Sequence, residues 1–600
     1  MAVDSASSAP NALGSLNSFV EALVGERLTF TVVVAVLLPL ILTYAFTTFN
    51  ANWIRNVRGK GNPPPVPYAL PVLGNTFQFA YDTEGFITKT IKRFGRAPFR
   101  LFVGLETMYY IPHGAAVQAM FKHARDLSMK PIIVVAMRDQ FGMSAQDLAV
   151  FERDHSGDEA RPLEGFEDVN PAHRVLYQQH RDLHLMLNGA ALEGMMGRFV
   201  GNYTTYLRDT EIVGQGQEWV ELPDFYGFLR DAMFQASCKG LLGERVFEVA
   251  PELTREFWAF DQNLLTYFRR TPRWLAPGAY ATRDRALAAL KKWVVHAREQ
   301  LDYRDPSLAG VEYEPIWGSR LMRMRAEMFD NAGFSLDGAV CQDLGFLWAS
   351  NANVIPATLW GMLNVLISEN LTARVTAELA ECFDESTDKF DIAALCAKPL
   401  LTGVYLESLR HCAAVSSARN PVTDNFQLAG WSMPRNSLML SIVWFGAHDP
   451  DFWNQGRVRP DGKPEHPVDT YWAERFLEYP DDPASGPVKK KDATIYTTPA
   501  KNAGKPKTAQ DDKTAKPISS TAALQGYFYP YGGGTRICPG RHLAKQEMLV
   551  ALAGMMKAFE IEILDPVAAR QVKPDMRAFP TGAMGPDRKV AVRIRRRRGW

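Results

Sequence analysis

The sequence is poor in cysteine and nearly neutral, and each shortage excludes a class of protein. Six cysteines are scattered through 600 residues, without a CxxC pair and without the Cys/His spacing of a zinc site. So sparse a set makes a poor disulfide framework, which indicates reduced thiols and an intracellular protein. The formal net charge of +1 gives no electrostatic reason to expect nucleic-acid binding. No flavin or NAD signature is present either.

Charged residues are also missing from one long segment near the N-terminus. Residues 28–49, LTFTVVVAVLLPLILTYAFTTF, are uncharged and mostly apolar. At about 1.5 Å rise per residue, a helix of this length spans the roughly 30 Å core of a bilayer. A signal peptide and a buried core helix are the alternatives. The preceding segment carries three acidic residues against one arginine, unlike the basic start of a signal peptide, so we expect a retained anchor.

The anchor divides the chain into predicted segments. Arg55, Arg58 and Lys60 follow the apolar run, and the positive-inside rule then places the bulk of the chain in the cytosol. We expect a lumenal tail, a transmembrane anchor, a basic and proline-rich hinge, and one catalytic domain, at residues 1–27, 28–49, 50–75 and 76–600. The proline run NPPPVP in the hinge favours a stiff, extended spacer.

A second unusual segment lies near the C-terminus. Residues 489–521 are rich in Lys, Thr, Ala, Asp and Pro and poor in large apolar side chains. Such a composition buries too little surface to offset the entropy of ordering. We therefore expect a disordered surface insertion over about 480–523.

Helical patterns dominate the remainder. They cover residues 215–300, 340–382 and 390–412, whereas strand patterns are confined to 100–114, 424–450 and 588–598. The expected fold is one large, mostly α domain with small β-sheets, of the α+β class.

One cysteine is placed in a distinctive loop, YPYGGGTRICPGRHLA, at residues 529–544. Pro539 follows Cys538, and apolar residues then recur at helical spacing, so the pattern predicts a helix that begins here. A helix N-terminus favours an anion and lowers a thiol pKa. The glycines remove bulk and would let the backbone approach a flat partner. The thiolate is either a nucleophile, for which only His542 is an adjacent base, or a metal ligand.

This loop resembles the haem-binding loop of the cytochrome P-450 superfamily, whose pattern is Phe-x-x-Gly-x-Arg-x-Cys-x-Gly. The matching residues are Tyr531, Gly534, Arg536, Cys538 and Gly540, with tyrosine in place of the usual phenylalanine. The resemblance implies a haem b cofactor, with Cys538 as the axial iron ligand and Arg536 at a haem propionate. It also implies that Tyr531 and Gly534 bind the cofactor. A thiolate ligand of this kind favours O–O cleavage.

Other landmarks of the family follow in the expected order. Glu407 and Arg410 match its Glu-x-x-Arg motif, and WAERFL resembles its Pro-Glu-Arg-Phe stretch with Ala473 in place of proline. The resemblance implies a buried structural network of Glu407, Arg410 and Arg475. It also suggests Arg419 as a second propionate ligand. Resemblance extends from about residue 60 to the C-terminus.

The helix expected over the iron departs from the family pattern. Its members usually carry Ala/Gly-Gly-x-Asp/Glu-Thr, and the matching stretch here, residues 346–363, places Ala352 at the acid and Asn353 at the alcohol. Pro356 is expected to kink this helix. The variant resembles cholesterol and oxysterol 7α-hydroxylases, and prostacyclin synthase has a related stretch. Asn353 is the expected catalytic residue, since its amide can hold a distal water or dioxygen; alternatively, it satisfies the carbonyl freed by Pro356.

The resemblance implies a haem-thiolate monooxygenase that oxidises a bulky hydrophobic substrate, such as a sterol, steroid or terpenoid. NADPH would supply electrons through a separate reductase, and membrane lipid would hold the single-pass anchor in the endoplasmic reticulum with the catalytic domain cytosolic. The missing acid–alcohol pair leaves open an O2-independent isomerase or dehydratase of the prostacyclin-synthase type. A haem carrier or sensor without turnover is a third alternative. A weak candidate for the family's Trp-x-x-x-Arg haem contact is Tyr177-x-x-x-Arg181.

Overall fold

Helices make up most of the structure, a computed structural model that describes residues 12–56, 61–497, 507–518 and 521–598. The helices of eight or more residues are Ala12–Asn56, Thr83–Phe94, Ala115–Lys122, Lys130–Asp139, Ala145–Glu152, Val175–Met186, Gly189–Asp209, Phe225–Leu242, Leu253–Asp261, Pro277–Gln300, Arg320–Ala332, Leu336–Asn351, Val354–Ile367, Glu369–Ala380, Pro399–Cys412 and Arg541–Ala558. Shorter helices are Thr76–Tyr81, Val246–Val249, Leu264–Phe268, Ile392–Ala397, Val443–Ala447, Thr494–Thr497, Ala509–Thr514 and Pro566–Ala569.

The sheets are small, as the sequence predicts. The largest has the strand order Phe99–Val103, Glu106–Tyr110, Leu438–Ile442, Ser416–Pro421 and Leu127–Ser128. A second sheet joins Phe559–Ile563, Val592–Arg596 and Val220–Leu222, and the paired strands elsewhere are Phe426–Leu428 with Trp431–Met433, Leu477–Glu478 with Lys516–Pro517, Tyr313–Glu314 with Gly318–Ser319, and Phe383–Asp384 with Lys389–Phe390. Met439 lies opposite Arg419 in the largest sheet, which fixes that arginine on an inner strand.

The core lies where four helices pack together: Gly189–Asp209, Phe225–Leu242, Val354–Ile367 and Arg541–Ala558. Their facing side chains are almost fully buried, among them Tyr203, Phe225, Leu359 and Met555. Each large apolar side chain buried in this way contributes about 1.5–3 kcal/mol. This packing holds the end of the Cys538 loop and the interrupted helix in fixed positions.

The N-terminal helix contains a candidate membrane span at Thr31–Arg55, with mean hydropathy 2.3 and only 6% of its most apolar window buried. The candidate span overlaps the anchor that the sequence predicts at 28–49. Length and composition alone identify it. Residues 1–11 and 57–60, which include part of the predicted tail and hinge, lie outside the described residues.

The long helix that carries Asn353 is interrupted. It is divided into Leu336–Asn351 and Val354–Ile367, with Ala352 and Asn353 between them. Pro356 lacks an N–H, so it cannot bond the carbonyl of Ala352, four residues earlier. The predicted distortion therefore occurs one turn before the proline.

The predicted insertion is folded where the structure describes it. Thr508 caps the short helix Ala509–Thr514 through a reciprocal capping box, and Lys516–Pro517 pairs with Leu477–Glu478. Asp512, only 1% exposed, accepts two hydrogen bonds from Arg374, at 2.8 and 2.6 Å. The prediction of disorder over 480–523 is wrong for residues 507–518, because a buried ion pair orders a segment with few apolar residues. Residues 498–506 and 519–520 lie outside the described residues.

Candidate functional site

Cys538 lies in a closed loop just before the helix Arg541–Ala558, whose N-cap is Gly540. The helix thus begins two residues later than Pro539, where the sequence places its start. The Cys538 N–H donates to the Tyr531 carbonyl at 3.0 Å and closes the loop. Burial raises the thiol pKa, and the opposing effects of the Gly540 N–H and the Arg541 charge are smaller. The helix terminus therefore lowers this pKa as expected, but burial outweighs that effect.

The glycines of the loop are required by a neighbouring helix. A side chain on Gly533 would meet the ring of Phe121, and one on Gly534 would meet the Phe121 carbonyl oxygen. Gly534 also has φ +72°, which L side chains rarely adopt. Close packing on Phe121 by itself requires glycine at these two positions. The predicted contact between Gly534 and a cofactor stays a prediction.

Tyr531, at the usual phenylalanine position, has a specific partner. The Tyr405 hydroxyl donates to the Tyr531 hydroxyl at 3.0 Å. Burial raises the pKa of Tyr531 well above its usual value, so the phenol stays protonated. The replacement of phenylalanine therefore links the Cys538 loop to the helix Pro399–Cys412.

Two buried arginines near this loop lack sufficient anionic partners. Arg536 Nη2 is buried with no hydrogen-bond partner, and Arg536 Nε lies 3.8 Å from Glu159 Oε1. Arg419 Nη1 donates to the adjacent Ala418 carbonyl at 2.8 Å. Burial, followed by the positive charge of Arg536, lowers the pKa of Arg419 to about 10. Guanidinium groups buried in this manner favour an added anion.

An uncharged histidine lies beside the Arg536 guanidinium group. His180 Nε2 is buried without a partner, and burial together with the Arg536 charge lowers the pKa of His180 to about 4. His184 lies one turn away, with ring centroids 4.5 Å apart, and its pKa is lowered by burial and by the charges of Arg541 and Arg536. Orphaned buried donors of this kind beside a single thiol fit the propionates and iron of a haem.

The sequence analysis did not identify these histidines, because its candidate in the same helix, Arg181, lies on a more exposed face. The candidate residue Arg181 is 52% exposed on its side chain and pairs with Asp182 at 2.7 Å, and its guanidinium lies 6.0 Å from the centre of the Tyr177 ring. The i, i+4 pair of His180 and His184, which shares one helix face, is the signal that could have found them.

The structure brings Glu407, Arg410 and Arg475 together in the interior, with all three side chains 0% exposed. Arg410 donates to both carboxylate oxygens, at 2.7 and 2.8 Å, and Arg475 Nε donates at 3.2 Å. Burial alone would raise the pKa of Glu407, but the two positive charges lower it. Arg410 also donates to the carbonyls of Ala447 and Val468. The network therefore connects the helix Pro399–Cys412 to the chain segment that leads to the Cys538 loop.

Asn353 uses its amide oxygen in a tertiary contact. Oδ1 accepts a hydrogen bond from the Ala583 N–H at 2.8 Å. The alternative in which Asn353 satisfies the carbonyl freed by Pro356 would require Nδ2 to donate to that carbonyl. The part of the chain that the structure describes offers Nδ2 no hydrogen-bond partner.

Clusters of metal-binding side chains are absent from the part of the chain that the structure describes. Among residues 12–56, 61–497, 507–518 and 521–598, no cluster of three or more His, Cys, Asp or Glu side chains has the arrangement of a metal site. All six cysteines are free thiols.

Known proteins resemble the chain over most of its length. The profile of the Cytochrome P450 family matches residues 220–458 and 513–583, together more than half of the chain. "Cytochrome P450 monooxygenase fsoE" from Humicola fuscoatra is 33% identical over 89% of this chain and 88% of its own. "Cytochrome P450 monooxygenase efuG" from Hormonema carpetanum is 32% identical over 93% and 95%, and "Cytochrome P450 7A1" from Oryctolagus cuniculus is 22% identical over 85% and 88%.

A solved structure agrees on the fold. "Retinoic acid bound cyanobacterial CYP120A1" has a TM-score of 0.57 at 18% identity, covering 90% of this chain and 100% of that one. The predicted fold, mostly α with small sheets, is thereby confirmed. Together with the profile match and the two fungal relatives, these findings show that the chain belongs to the cytochrome P450 family, as an enzyme of its monooxygenase class.

Proposed function

We propose that this protein is a membrane-anchored haem-thiolate monooxygenase that hydroxylates or oxidises a bulky hydrophobic substrate of the sterol, steroid or terpenoid class. It would use O2 and electrons that NADPH supplies through a separate reductase. The observation that carries the proposal is the single Cys538 thiol beside buried, unpaired groups of Arg536 and His180. The family implies a haem-iron cofactor, a redox partner and a hydrophobic substrate.

Cys538 is the proposed axial ligand, and Arg536 and Arg419 are the proposed propionate contacts. Charge-assisted hydrogen bonds from guanidinium groups to carboxylates are about twice as strong as neutral ones. They would also remove the penalty of the unpaired Arg536 donor. When bound, haem supplies the oxidising chemistry, which a thiolate ligand directs toward O–O cleavage.

Asn353, in the helix that is expected to lie over the iron, is the proposed catalytic residue. Its Oδ1 is fixed by the Ala583 N–H, which directs the two Nδ2 protons elsewhere as donors. Ala352 carries no acid, so Asn353 would orient a water molecule or dioxygen without itself giving up a proton. A chain of water molecules would then have to deliver the protons.

The proposed location is the endoplasmic reticulum membrane, with a single span and a cytosolic catalytic domain. Support comes from the candidate span Thr31–Arg55 and from the basic residues that follow the apolar run. The proposed division is a lumenal tail at 1–27, an anchor at 28–49, a hinge at 50–75 and a catalytic domain at 76–600. A cytosolic domain held at the lipid surface would meet a membrane-bound NADPH reductase.

The test is turnover of the full chain with NADPH, reductase and a panel of sterols and terpenoids under labelled O2. We expect a product that carries one labelled oxygen atom, and turnover under argon without NADPH would instead support the isomerase alternative. Cys538→Ser should lose the spectral signature of a thiolate-ligated haem. The matched control is Cys396→Ser, which alters a partly buried thiol outside the loop and should retain that signature.

A further inference from the structure

A carboxylate that the family motifs do not explain lies beside the interrupted helix. Asp261 ends the helix Leu253–Asp261, and its Oδ1 accepts a hydrogen bond from the Trp348 indole N–H at 2.9 Å. Trp348 precedes Asn353 by five residues, a rise of about 7.5 Å along a helix axis. Trp348, the hydrogen-bond partner of Asp261, thus precedes the proposed catalytic residue by roughly one and a half turns of the interrupted helix.

The surroundings of this carboxylate are aromatic. Phe141 packs against Trp348 on one side and Phe260 on the other, with ring centroids 6.3 and 5.9 Å apart. Phe141 and Phe260 are almost fully buried. An acceptor therefore stands among apolar rings, which is the usual composition of a site for a hydrophobic ligand with one polar group.

The chain segment that binds Asn353 also approaches this carboxylate. Ala583 donates to Asn353, and two residues further a side chain on Gly585 would lie 3.4 Å from the Tyr226 ring. Burial, followed by the negative charge of Asp261, raises the pKa of Tyr226. Tyr226 thus lies near Asp261 and beside the chain segment whose Ala583 contacts Asn353.

Asp261 is half-buried and has few hydrogen-bond partners in the protein. Among the described residues, the Trp348 indole is its one hydrogen-bond donor. Arg230, whose positive charge acts on Asp261, is paired with Asp231 at 2.9 Å. Burial raises the pKa of Asp261 to about 6 in spite of the Trp348 bond and the Arg230 charge. A half-buried carboxylate oxygen that no protein donor occupies can accept a hydrogen bond from a ligand.

We propose that Asp261 anchors the substrate, by accepting a hydrogen bond at Oδ2 from a hydroxyl group on an otherwise apolar skeleton. This inference rests on the proposed function and narrows its substrate class to hydroxylated hydrophobic molecules. A hydrocarbon or a ketone offers no donor, so either would leave the carboxylate unpaired. The hydroxyl sits at one end of the molecule and the oxidised carbon lies toward Asn353.

A single substitution, Asp261→Asn, tests the proposed role of Asp261, because the Trp348 N–H fixes the position of Oδ1. In Asp261→Asn the amide oxygen is expected to keep the Trp348 N–H, so the NH2 group takes the place of Oδ2. An acceptor is thereby exchanged for a donor with little change in volume. The site should then lose its preference for the alcohol, because the hydroxyl oxygen and the ketone oxygen can each accept from the NH2 group.

The experiment is spectral titration of the haem-loaded full chain with 5α-cholestan-3β-ol, its 3-ketone and its 3-methyl ether. We expect the native protein to bind the alcohol about 10-fold more tightly than either analogue, since a hydrogen bond to a charged group is at stake. Asp261→Asn should abolish that preference. The matched control, Asp231→Asn, changes a neighbouring carboxylate whose side chain is 36% exposed and should keep it.

Equal binding of the alcohol and the ketone by the native protein would overturn the inference. So would an unchanged preference in Asp261→Asn at normal haem content. Binding of none of the three ligands, with oxygenated product from another substrate class, overturns the inference for sterols and leaves the proposed function standing. Absence of oxygenated product from every member of the substrate panel would reject the proposed function itself.

Discussion

The ion pair between Arg374 and Asp512 should control whether residues 507–518 stay docked on the catalytic domain. The two side chains are 4% and 1% exposed, and they share two short hydrogen bonds. Burial alone would lower the pKa of Arg374, but its bonds to Asp512 and Glu474 raise it. Asp512→Ala leaves the buried guanidinium with Glu474 as its remaining carboxylate partner.

Removal of one partner from a buried ion pair costs about 3–5 kcal/mol. The segment can detach locally, so the loss should appear there rather than in global unfolding. We expect amide hydrogen exchange in the helix Ala509–Thr514 to become about 100-fold faster or more, because about 1.4 kcal/mol corresponds to each factor of 10. Mass spectrometry of peptides from this segment measures the change.

The control is a substitution of Lys513, the next residue of the same helix. Lys513 pairs with Glu381 at 3.0 Å, and both side chains are well exposed, so Lys513→Ala should cost about 1 kcal/mol or less. If Asp512→Ala and Lys513→Ala accelerate exchange equally, the argument from burial is refuted. Slow exchange in both variants would show that the sheet pairing with Leu477–Glu478 is sufficient to hold the segment.

Three further predictions concern the interior. Glu407→Ala leaves two buried guanidinium groups unpaired and should lower the free energy of unfolding by about 3–5 kcal/mol, measured by urea denaturation; a loss below about 1 kcal/mol would contradict it. Tyr531→Phe removes one hydrogen bond from Tyr405 and should lower stability by about 1 kcal/mol, measured as a small fall in Tm. Because the folded-state pKa of Asp261 is raised to about 6, its contribution falls as pH rises from about 4 through 6. Asp261→Asn should therefore gain roughly 2 kcal/mol over the native protein at pH 8 compared with pH 4, and an equal gap at both pH values would contradict the raised pKa of Asp261.

Local chemistry explains which features could be predicted. The apolar run at 28–49, the Cys538 loop and the Glu407–Arg410 spacing each depend on neighbours within a few residues, so the sequence displays them directly. The helix containing Pro356 also follows from a local rule, although its break lies one turn earlier. The ordered conformation of residues 507–518 could not be predicted in this way, because it depends on Arg374, which is far away in the sequence.

The sequence by itself determined the class of fold and the family resemblance, with Cys538 as the expected iron ligand. Tertiary structure alone decided the surroundings of that loop: His180 in place of Arg181 beside Arg536, and Phe121 behind the glycines. It also placed Asp261 against Trp348, in a position that no motif marks. The physical reason is that a motif records the residues that a chain position requires locally. Burial, unpaired donors and charge pairs are set by segments that meet only when the chain folds.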